Sequence, residues 1–463
     1  MGIRRREFIR NSGIAASGVF ALPTIISSAF REGKAPSDRI NVAVIGLGRQ
    51  TVTPNIPQFL KSDNATVVAV CDVDSWRLEN ARKQVDDFYT ARKGSSYKGC
   101  AVYGDFREVL IRKDVDAVMI ATPDHWHVPM AIEAARAGKH VSLEKPVSTC
   151  IEHGRQLVKA IRKYGIVTRN DSEFRPIPQF ARAVEIVRNG RIGKLVRIQV
   201  AVPSELSGDP LKAEPTMPVP PELNYDMWLG PAPYRPYNEK RVHYNWHWFW
   251  DTGNGDTGNQ GPHQFDIARW GLNKNEHPVI IYSMGGVFGI DPKECEQETP
   301  NTQTSLFRYS DGKILEFETR GRYTNDESSL GIRIGNLFYG TEGYVEIDGG
   351  TWKAFRRREK EPFAGSQTAA EKPADPTFLA APGGTEHFAN FLDAIRSGKD
   401  ETLNCQIKEG HYSSSLPILA NISYKLGRQL EFDGANEKFT GDKEADAMLT
   451  RDYRKPYVVP EKV

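Results

Sequence analysis

The 463-residue chain has few cysteines: Cys71, Cys100, Cys150, Cys295 and Cys405 are scattered, odd in number and without a CxxC pair. That argues against a disulfide framework or a cysteine-built zinc cluster. No excess of either charge is present, since 61 Lys+Arg face 59 Asp+Glu for a net charge of +2. A nucleic-acid binder would carry a basic excess or stripe. After the first thirty residues no uninterrupted apolar run reaches eighteen, which leaves no internal membrane span. What remains, 39% hydrophobic and 26% charged residues, is the composition of an ordinary globular protein of two or three domains.

The first segment reads as an address. Residues 4–10 are RRREFIR, and 13–29 form a moderately apolar stretch ending in the small residues Ser27, Ser28 and Ala29. A basic start, a weak apolar region and a small-residue end describe a secretory leader. The start resembles the twin-arginine pattern RRxFLK, with Arg4 where Ser or Thr is usual. Residues 1–29 are therefore expected to direct export, to the periplasm or an equivalent space, and to be removed.

A dinucleotide-binding unit follows. Ile40 to Ile45 is a short β-branched run without alternation, as in a strand buried on both faces, and it leads into Gly46-Leu47-Gly48-Arg49-Gln50-Thr51. After a helix-length stretch, 67–71 forms a second apolar run ending at Asp72. The glycines let the backbone approach a pyrophosphate, and the acid can accept hydrogen bonds from the adenosine ribose hydroxyls. A carboxylate there favours NAD, because it repels a 2′-phosphate. Thr51 stands where a third glycine is usual, and Pro54 and Pro57 predict a late or irregular helix start.

The pattern continues with a buried strand over 115–121, followed by Thr122-Pro123-Asp124-His125-Trp126-His127 and an alanine-rich helix over 130–137. Another strand, His140 to Leu143, ends in Glu144-Lys145-Pro146. Ligands of open α/β sheets sit at the carboxyl ends of the strands, where both polar clusters fall. Lys145, beside a positively charged nicotinamide, can share the proton of a substrate hydroxyl.

GLGRQT (46–51), CDVD (71–74), ATPDHWH (121–127) and EKP (144–146), in this order and spacing, resemble the Gfo/Idh/MocA oxidoreductases over roughly residues 39–435. The resemblance implies an NAD(P)-dependent enzyme acting on sugars, glycosides or cyclitols. It implies an N-terminal Rossmann domain with a parallel sheet and a C-terminal α+β domain with a large open, mainly antiparallel sheet. It makes Lys145 catalytic and the peptide before Pro146 cis. Gly46, Gly48, Arg49, Gln50, Asp72, Thr122, Pro123, His125, His127, Glu144 and Lys145 become the candidate NAD contacts. Family members pair subunits across the open sheet, so a homo-oligomer, dimer or tetramer, is expected.

The domains are read as 39–165 for the Rossmann unit, 166–404 for the α+β substrate and oligomerisation domain, and 405–463 for a C-terminal helix and tail. In the second half, 180–189 reads as a helix, 193–202 as a strand, and 279–284, 304–310, 313–320, 331–339 and 343–347 as short sheet strands. Eight prolines across 210–236 argue against regular structure, and 357–384 reads as a surface excursion. His387 to Ser397 looks like an amphipathic helix, and a longer helix near 408–428 is expected to pack back on the first domain.

The densest chemistry lies between Tyr225 and Trp270. An aromatic run containing Tyr244, Trp246, His247, Trp248 and Trp250 precedes DTGNGDTGNQGPHQFDIARW, expected to become helical near His263. By the resemblance, His263 matches the family's catalytic base, and Asn259 stands where an aspartate is usual. Asn259 can orient the histidine or bind substrate, and Asp256 or Asp266 could supply the missing charge. Asn259, Gln260, His247, Tyr244 and Trp126 are the candidate substrate contacts. The aromatic faces either stack on sugar rings or pack their own loop. His243 and His247 have metal-ligand spacing but no acidic or cysteine partner, so no metal is expected.

The reading is an exported, NAD-retaining oxidoreductase of a carbohydrate hydroxyl. A redox-assisted glycosidase, which oxidises C3 transiently and eliminates the aglycone, is the first alternative. A carbohydrate-binding protein without turnover is the second.

Overall fold

The computed structural model describes residues 38–94, 97, 99–172, 174–203, 210–321, 334–348, 351–366, 386–460 and 463. The twin-arginine leader and most of the 357–384 excursion lie outside them.

The first domain is an alternation of strands and helices: β1 (Ile40–Ile45), α1 (Ile56–Lys61), β2 (Ala65–Cys71), α2 (Ser75–Lys93), β3 (Ala101–Tyr103) and α3 (Phe106–Leu110). It continues with β4 (Ala117–Ile120), α4 (Asp124–Arg136), β5 (His140–Leu143), α5 (Ile151–Tyr164) and β6 (Thr168–Asn170). The six strands order as β3-β2-β1-β4-β5-β6 and pair in parallel throughout. That is the doubly wound order in which a dinucleotide lies across the carboxyl ends. Both faces are covered, which explains why β4 reads AVMI with every residue buried. The expected irregular helix start is present: a π-helical turn, Thr51–Asn55, holds Pro54 and leads into α1.

The second domain carries α6 (Pro178–Arg188), β7 (Leu195–Pro203), α7 (Tyr225–Leu229), α8 (Gly255–Asn259), α9 (Gly261–Leu272), β8 (Ile280–Gly286), β9 (Thr302–Arg308) and β10 (Ile314–Arg320). Then follow β11 (Gly335–Gly340), β12 (Gly343–Asp348), β13 (Thr351–Arg356), β14 (Ala364–Gly365), α10 (His387–Ser397), α11 (Ile407–Leu426), β15 (Leu430–Asp433), β16 (Lys438–Phe439) and α12 (Lys443–Ala447). Strands β7–β16 form one sheet, ordered β14-β13-β12-β11-β7-β10-β9-β8-β15-β16, in which only the β7–β10 pair is parallel. Alternation along its strands sends Ile198, Phe307, Phe317, Phe338 and Val345 into a core beneath α6, α9 and α11. On the opposite face Met284, Leu306 and Ile314 are exposed.

Three sequence readings are corrected and one, the packing of the long helix, is extended. The proline-rich stretch contains α7, because Asn224 caps it through Met227 N–H and the helix falls between Pro221 and Pro231. Helix begins before His263, at Gly255 and again at Gly261, with Pro262 in the first turn where it needs no amide donor. The long helix α11 buries Leu416, Leu419 and Ala420 in the second core as well as approaching α5. The tail supplies β15 and β16 to the large sheet, while α10 packs Phe388, Phe391 and Leu392 against the first domain.

Phe391 is fully buried between α10 and the first sheet. Phe391→Ala is expected to cost about 3–5 kcal/mol, because the cavity left in a rigid interior adds to the lost transfer energy. Urea denaturation should show this as a lowered midpoint with an unchanged slope.

Candidate functional site

The carboxyl ends of the parallel strands place the motifs in sheet order: Asp72 after β2, the glycine turn after β1, Thr122-Pro123-Asp124 after β4 and Glu144-Lys145 after β5. They line one open cleft of about 1430 Å³, solvent at its mouth included, which extends to Tyr244, Trp246, His247, Asn259, Gln260 and His263 from the second domain.

At the acid end, Asp72 grips the turn. Its Oδ2 accepts from Leu47 N at 2.6 Å and its Oδ1 from Asp74 N at 2.9 Å. Each oxygen keeps a further lone pair for a hydroxyl donor. Burial pushes its carboxyl above the ordinary range, despite the two amide bonds. Gly46 has φ +85°, and a Cβ there would lie 2.6 Å from the Ala121 carbonyl oxygen. Gly48 is different: a Cβ there would meet no protein atom within 4 Å, so its missing side chain leaves room at the turn. An open glycine cradle, a ribose-binding carboxylate and a strand-end cleft together fit a bound dinucleotide.

Arg49 reaches over the Tyr244 ring at 5.1 Å, and Gln50 lines the cleft beside it. Glu144 accepts from Asn55 Nδ2 at 3.0 Å, which fixes the π-helical turn to the end of β5. Lys145 Nζ donates to Asn259 Oδ1 at 2.9 Å and to Asn259 O at 3.0 Å. The Lys145–Pro146 peptide is cis.

His263 stacks on Phe174 with ring centroids 4.8 Å apart, and its buried Nδ1 has no hydrogen-bond partner. Burial first, then the Lys145 charge, lower its pKa to about 3, so the ring is neutral near pH 7. Asp266 does not replace the missing aspartate as a hydrogen-bond partner. Its carboxylate is held by Arg175 at 2.6 and 2.7 Å and by Ser413 at 2.9 Å. His263 Nδ1 takes no bond from Asp256 either, since it has no hydrogen-bond partner.

Two expected contacts fall elsewhere. His125 is buried with Nε2 3.2 Å from the Trp228 carbonyl, and neither it nor His127 lines the cleft. His127 sits with Nδ1 2.7 Å from Pro146 O and Nε2 2.9 Å from Thr122 O, bracing two cleft loops from behind. Trp126 does line the cleft, and its Nε1 donates to the carbonyls of Met227 and Trp228. Of the tryptophan run, Trp246 lines the cleft and stacks on His247 at 3.6 Å, while Trp248 is fully buried. Trp250 packs against Lys425, whose Nζ lies 3.8 Å from its ring centre.

Sequence reasoning missed Asp124, although it lies inside a quoted motif. Its carboxyl lines the cleft with Oδ2 buried and unpartnered, and burial holds it well above the carboxylate range. It also missed the closure of the acid end. Ser75 N donates to Glu222 O and Asn224 N to Val73 O, both at 2.9 Å, lacing the second domain onto the loop after β2. His243, at φ +64°, accepts from Arg77 Nε at 3.1 Å in the same place. No local signal announces such long-range pairings.

Gly48→Ala is expected to weaken NAD binding in calorimetric titration while leaving the cofactor-free melting temperature near wild type. Gly46→Ala should lower both, because its Cβ strikes backbone at a left-handed φ. The buried histidines also set a pH dependence. His125 is lowered to about 4, and His247 and His263 to about 3, each chiefly by burial. Below about 6.5 the unfolded chain takes up protons that the folded one refuses, so these groups remove stability as pH falls from 6.5 toward 4. The raised Asp72 and Asp124 act oppositely, protonating first in the folded state. His127 and His153 are likewise lowered to about 4, chiefly by burial, so the depressed imidazoles outnumber the raised carboxyls and the melting temperature is expected to fall across that window.

A model described as oxidoreductase family, NAD-binding Rossmann fold, matches residues 40–171. Its companion, the oxidoreductase family C-terminal alpha/beta domain, matches 205–328 and 372–459. A glycosyl hydrolase family 109 protein 2 of Shewanella sp. (strain ANA-3) is 30% identical over 223 residues, 44% of this chain and 47% of that protein. The match thus spans about half the length of the curated relative. Among solved structures, the WlbA dehydrogenase from Bordetella pertussis in complex with NADH and UDP-GlcNAcA has a TM-score of 0.60 at 20% identity, covering 85% of this chain and 99% of that one. Aldose-aldose oxidoreductase from Caulobacter crescentus, complexed with glycerol, gives 0.59 at 17%, covering 85% and 100%. With both family domains matched in order over most of its length, and the glycine cradle, acid and strand-end lysine in place, the chain belongs to the Gfo/Idh/MocA family of NAD-binding oxidoreductases.

Proposed function

We propose that the protein is an exported dehydrogenase of a sugar, glycoside or cyclitol hydroxyl that retains its NAD through the whole cycle. The observation that carries this reading is the meeting of Lys145 and a neutral His263 in the cleft that also holds the glycine turn. The carbohydrate-related descriptions of the structural neighbours support the substrate class. NAD, when bound, supplies the hydride acceptor at its nicotinamide ring. The remaining work falls to the chain. Lys145 Nζ turns from the Asn259 oxygens to the substrate oxygen and stabilises the charge that develops there. His263 takes the hydroxyl proton, since a neutral imidazole always has one unprotonated nitrogen. The carbinol carbon becomes a carbonyl, and a second, reducible substrate later takes back hydride and proton.

The basic, then apolar leader of residues 4–29 supports export. Backbone lacing across the acid end supports a retained cofactor. Exposed Met284, Leu306 and Ile314 on the open sheet face support pairing of subunits there.

A second reading, the redox-assisted glycosidase, is favoured by the relatives described as glycosyl hydrolase family 109 proteins. It needs a base for the C2 proton. His247 fits, because its Nδ1 lies 2.5 Å from the Tyr244 carbonyl and so carries the hydrogen, leaving Nε2 as acceptor.

The test uses protein purified and dialysed without added cofactor, then mixed with glycosides, sugars and inositols. A rise in reduced-nicotinamide absorbance with a keto-sugar product is expected. Aglycone release without a lasting rise would transfer the assignment to the glycosidase, and complete loss of nicotinamide on dialysis would remove the retained cycle. Lys145→Met and His263→Asn should each lower kcat by about 100- to 10,000-fold, the usual span for a lost acid–base group. Bound nicotinamide should be unchanged in His263→Asn. Because His263 is lowered to about 3, the acid limb of the wild-type kcat/KM profile should lie well below pH 6.5.

A further inference from the structure

Away from the cleft, three side chains from separate elements converge inside the second domain. His277 lies on the link between α9 and β8, His411 in α11 and Glu437 on the β15–β16 hairpin. Glu437 Oε1 is 2.6 Å from His411 Nε2 and 3.1 Å from His277 Nε2, and the candidate donor atoms all lie within 4.8 Å of one another. Both histidines are only 4% exposed, and none of the three residues lines the cleft.

A plain hydrogen-bond triad accounts poorly for this arrangement. Two imidazoles aim Nε2 at one carboxylate oxygen while both Nδ1 atoms are buried without a hydrogen-bond partner. The second oxygen, Oε2, also lacks a hydrogen bond and faces the Arg155 guanidinium at 3.6 Å. Glu437 holds φ +50°, a left-handed backbone that a non-glycine residue adopts only at a cost. Two ring nitrogens from separate elements thus converge on one carboxylate oxygen of a strained residue, the donor set that a bound cation would share.

We infer that His277, His411 and Glu437 bind a divalent transition-metal ion, zinc by their donor chemistry, which fastens the C-terminal hairpin to α11 and to the chain leaving α9. Two imidazole nitrogens and one carboxylate oxygen suit zinc, whereas calcium and magnesium take oxygen ligands. Zinc bonds of about 2.0–2.1 Å place tetrahedral ligand atoms about 3.3 Å apart. The His277 pair is already close to that spacing, and the His411 pair opens by several tenths of an ångström to reach it. Arg155 lies on the Oε2 side, so the ion approaches through Oε1 with its fourth position left to water.

The test takes tag-free full-length protein, produced in zinc-supplemented medium and gel-filtered, to elemental analysis. One zinc per chain is expected, with a melting temperature that falls on chelation and recovers with added Zn2+. Co2+ added to the chelated protein should give a visible d–d absorption. His411→Gln and Glu437→Gln should abolish bound zinc; glutamine at 411 can still donate to Glu437, so a purely hydrogen-bonded cluster would tolerate it. Metal-free wild-type protein that gives no cobalt absorption and ignores both Zn2+ and chelator overturns the inference. Undiminished zinc in both variants overturns it as well. Should the variants fail to fold, the wild-type cobalt and zinc titrations decide alone.

Discussion

The contact between the Lys145 ammonium and the two oxygens of Asn259 joins the domains inside the cleft. Lys145 ends a strand of the parallel sheet, whereas Asn259 ends α8 in the second domain. An aspartate at 259 would neutralise the lysine; the amide orients it and leaves its charge intact. That charge then acts on its surroundings, working with burial to keep His263 and His247 neutral and opposing the burial-driven rise of Asp124. One lysine thereby acts, after burial, on two imidazoles and a carboxyl. His263 stays neutral near pH 7 without an aspartate partner, because it is desolvated and lies beside a cation.

The interdomain contact holds only because both sides are rigid. Behind Lys145, buried Asp171 binds Arg169 at 2.7 Å, His387 at 3.0 Å and Ser142 at 3.1 Å, tying β5 and β6 to α10. Behind His263, Asp266 takes the fork of Arg175 and the hydroxyl of Ser413 from α11. Both are buried ion pairs, which are weak sources of net stability but expensive to break singly. Their worth here is positional, since each fixes the backbone on which a cleft residue stands.

Much of this was legible in the sequence, and the reason is locality. The β1–glycine–β2–acid unit, the strand His140–Leu143 and the helix His387–Ser397 are set by patterns within a few residues. The motif residues followed because strand ends gather on one sheet edge. What escaped depends on distance or on winding. Asn259 lies 114 positions from the lysine it holds. His125 and His127 share a motif with Trp126 and Asp124, yet a helix turns successive side chains by about 100°, and only some can face the cleft. The tail read as an appendage because β15 and β16 are four and two residues long, too short to show alternation, and acquire a sheet only by pairing with β8 and each other.

The same long-range pairing bears on how a cofactor would be kept. At the acid end the second domain is fastened by backbone bonds of Ser75 and Asn224 and by the strained His243 reaching Arg77. The C-terminal segment fastens it again: Arg454 N donates to Pro231 O at 2.9 Å, and its guanidinium binds Asp226 Oδ1 at 2.5 Å and Gly230 O at 2.9 Å. Tyr457 then packs on Trp126 at 4.9 Å, beside the cleft wall. Each bond alone contributes about 1 kcal/mol, but they act on one segment and must break together for it to lift. A clamp of that kind slows release far more than it strengthens any single contact. On the proposed reading, an oxidoreductase that retains its NAD needs that property more than high affinity, because a cofactor that never leaves has to be loaded only once.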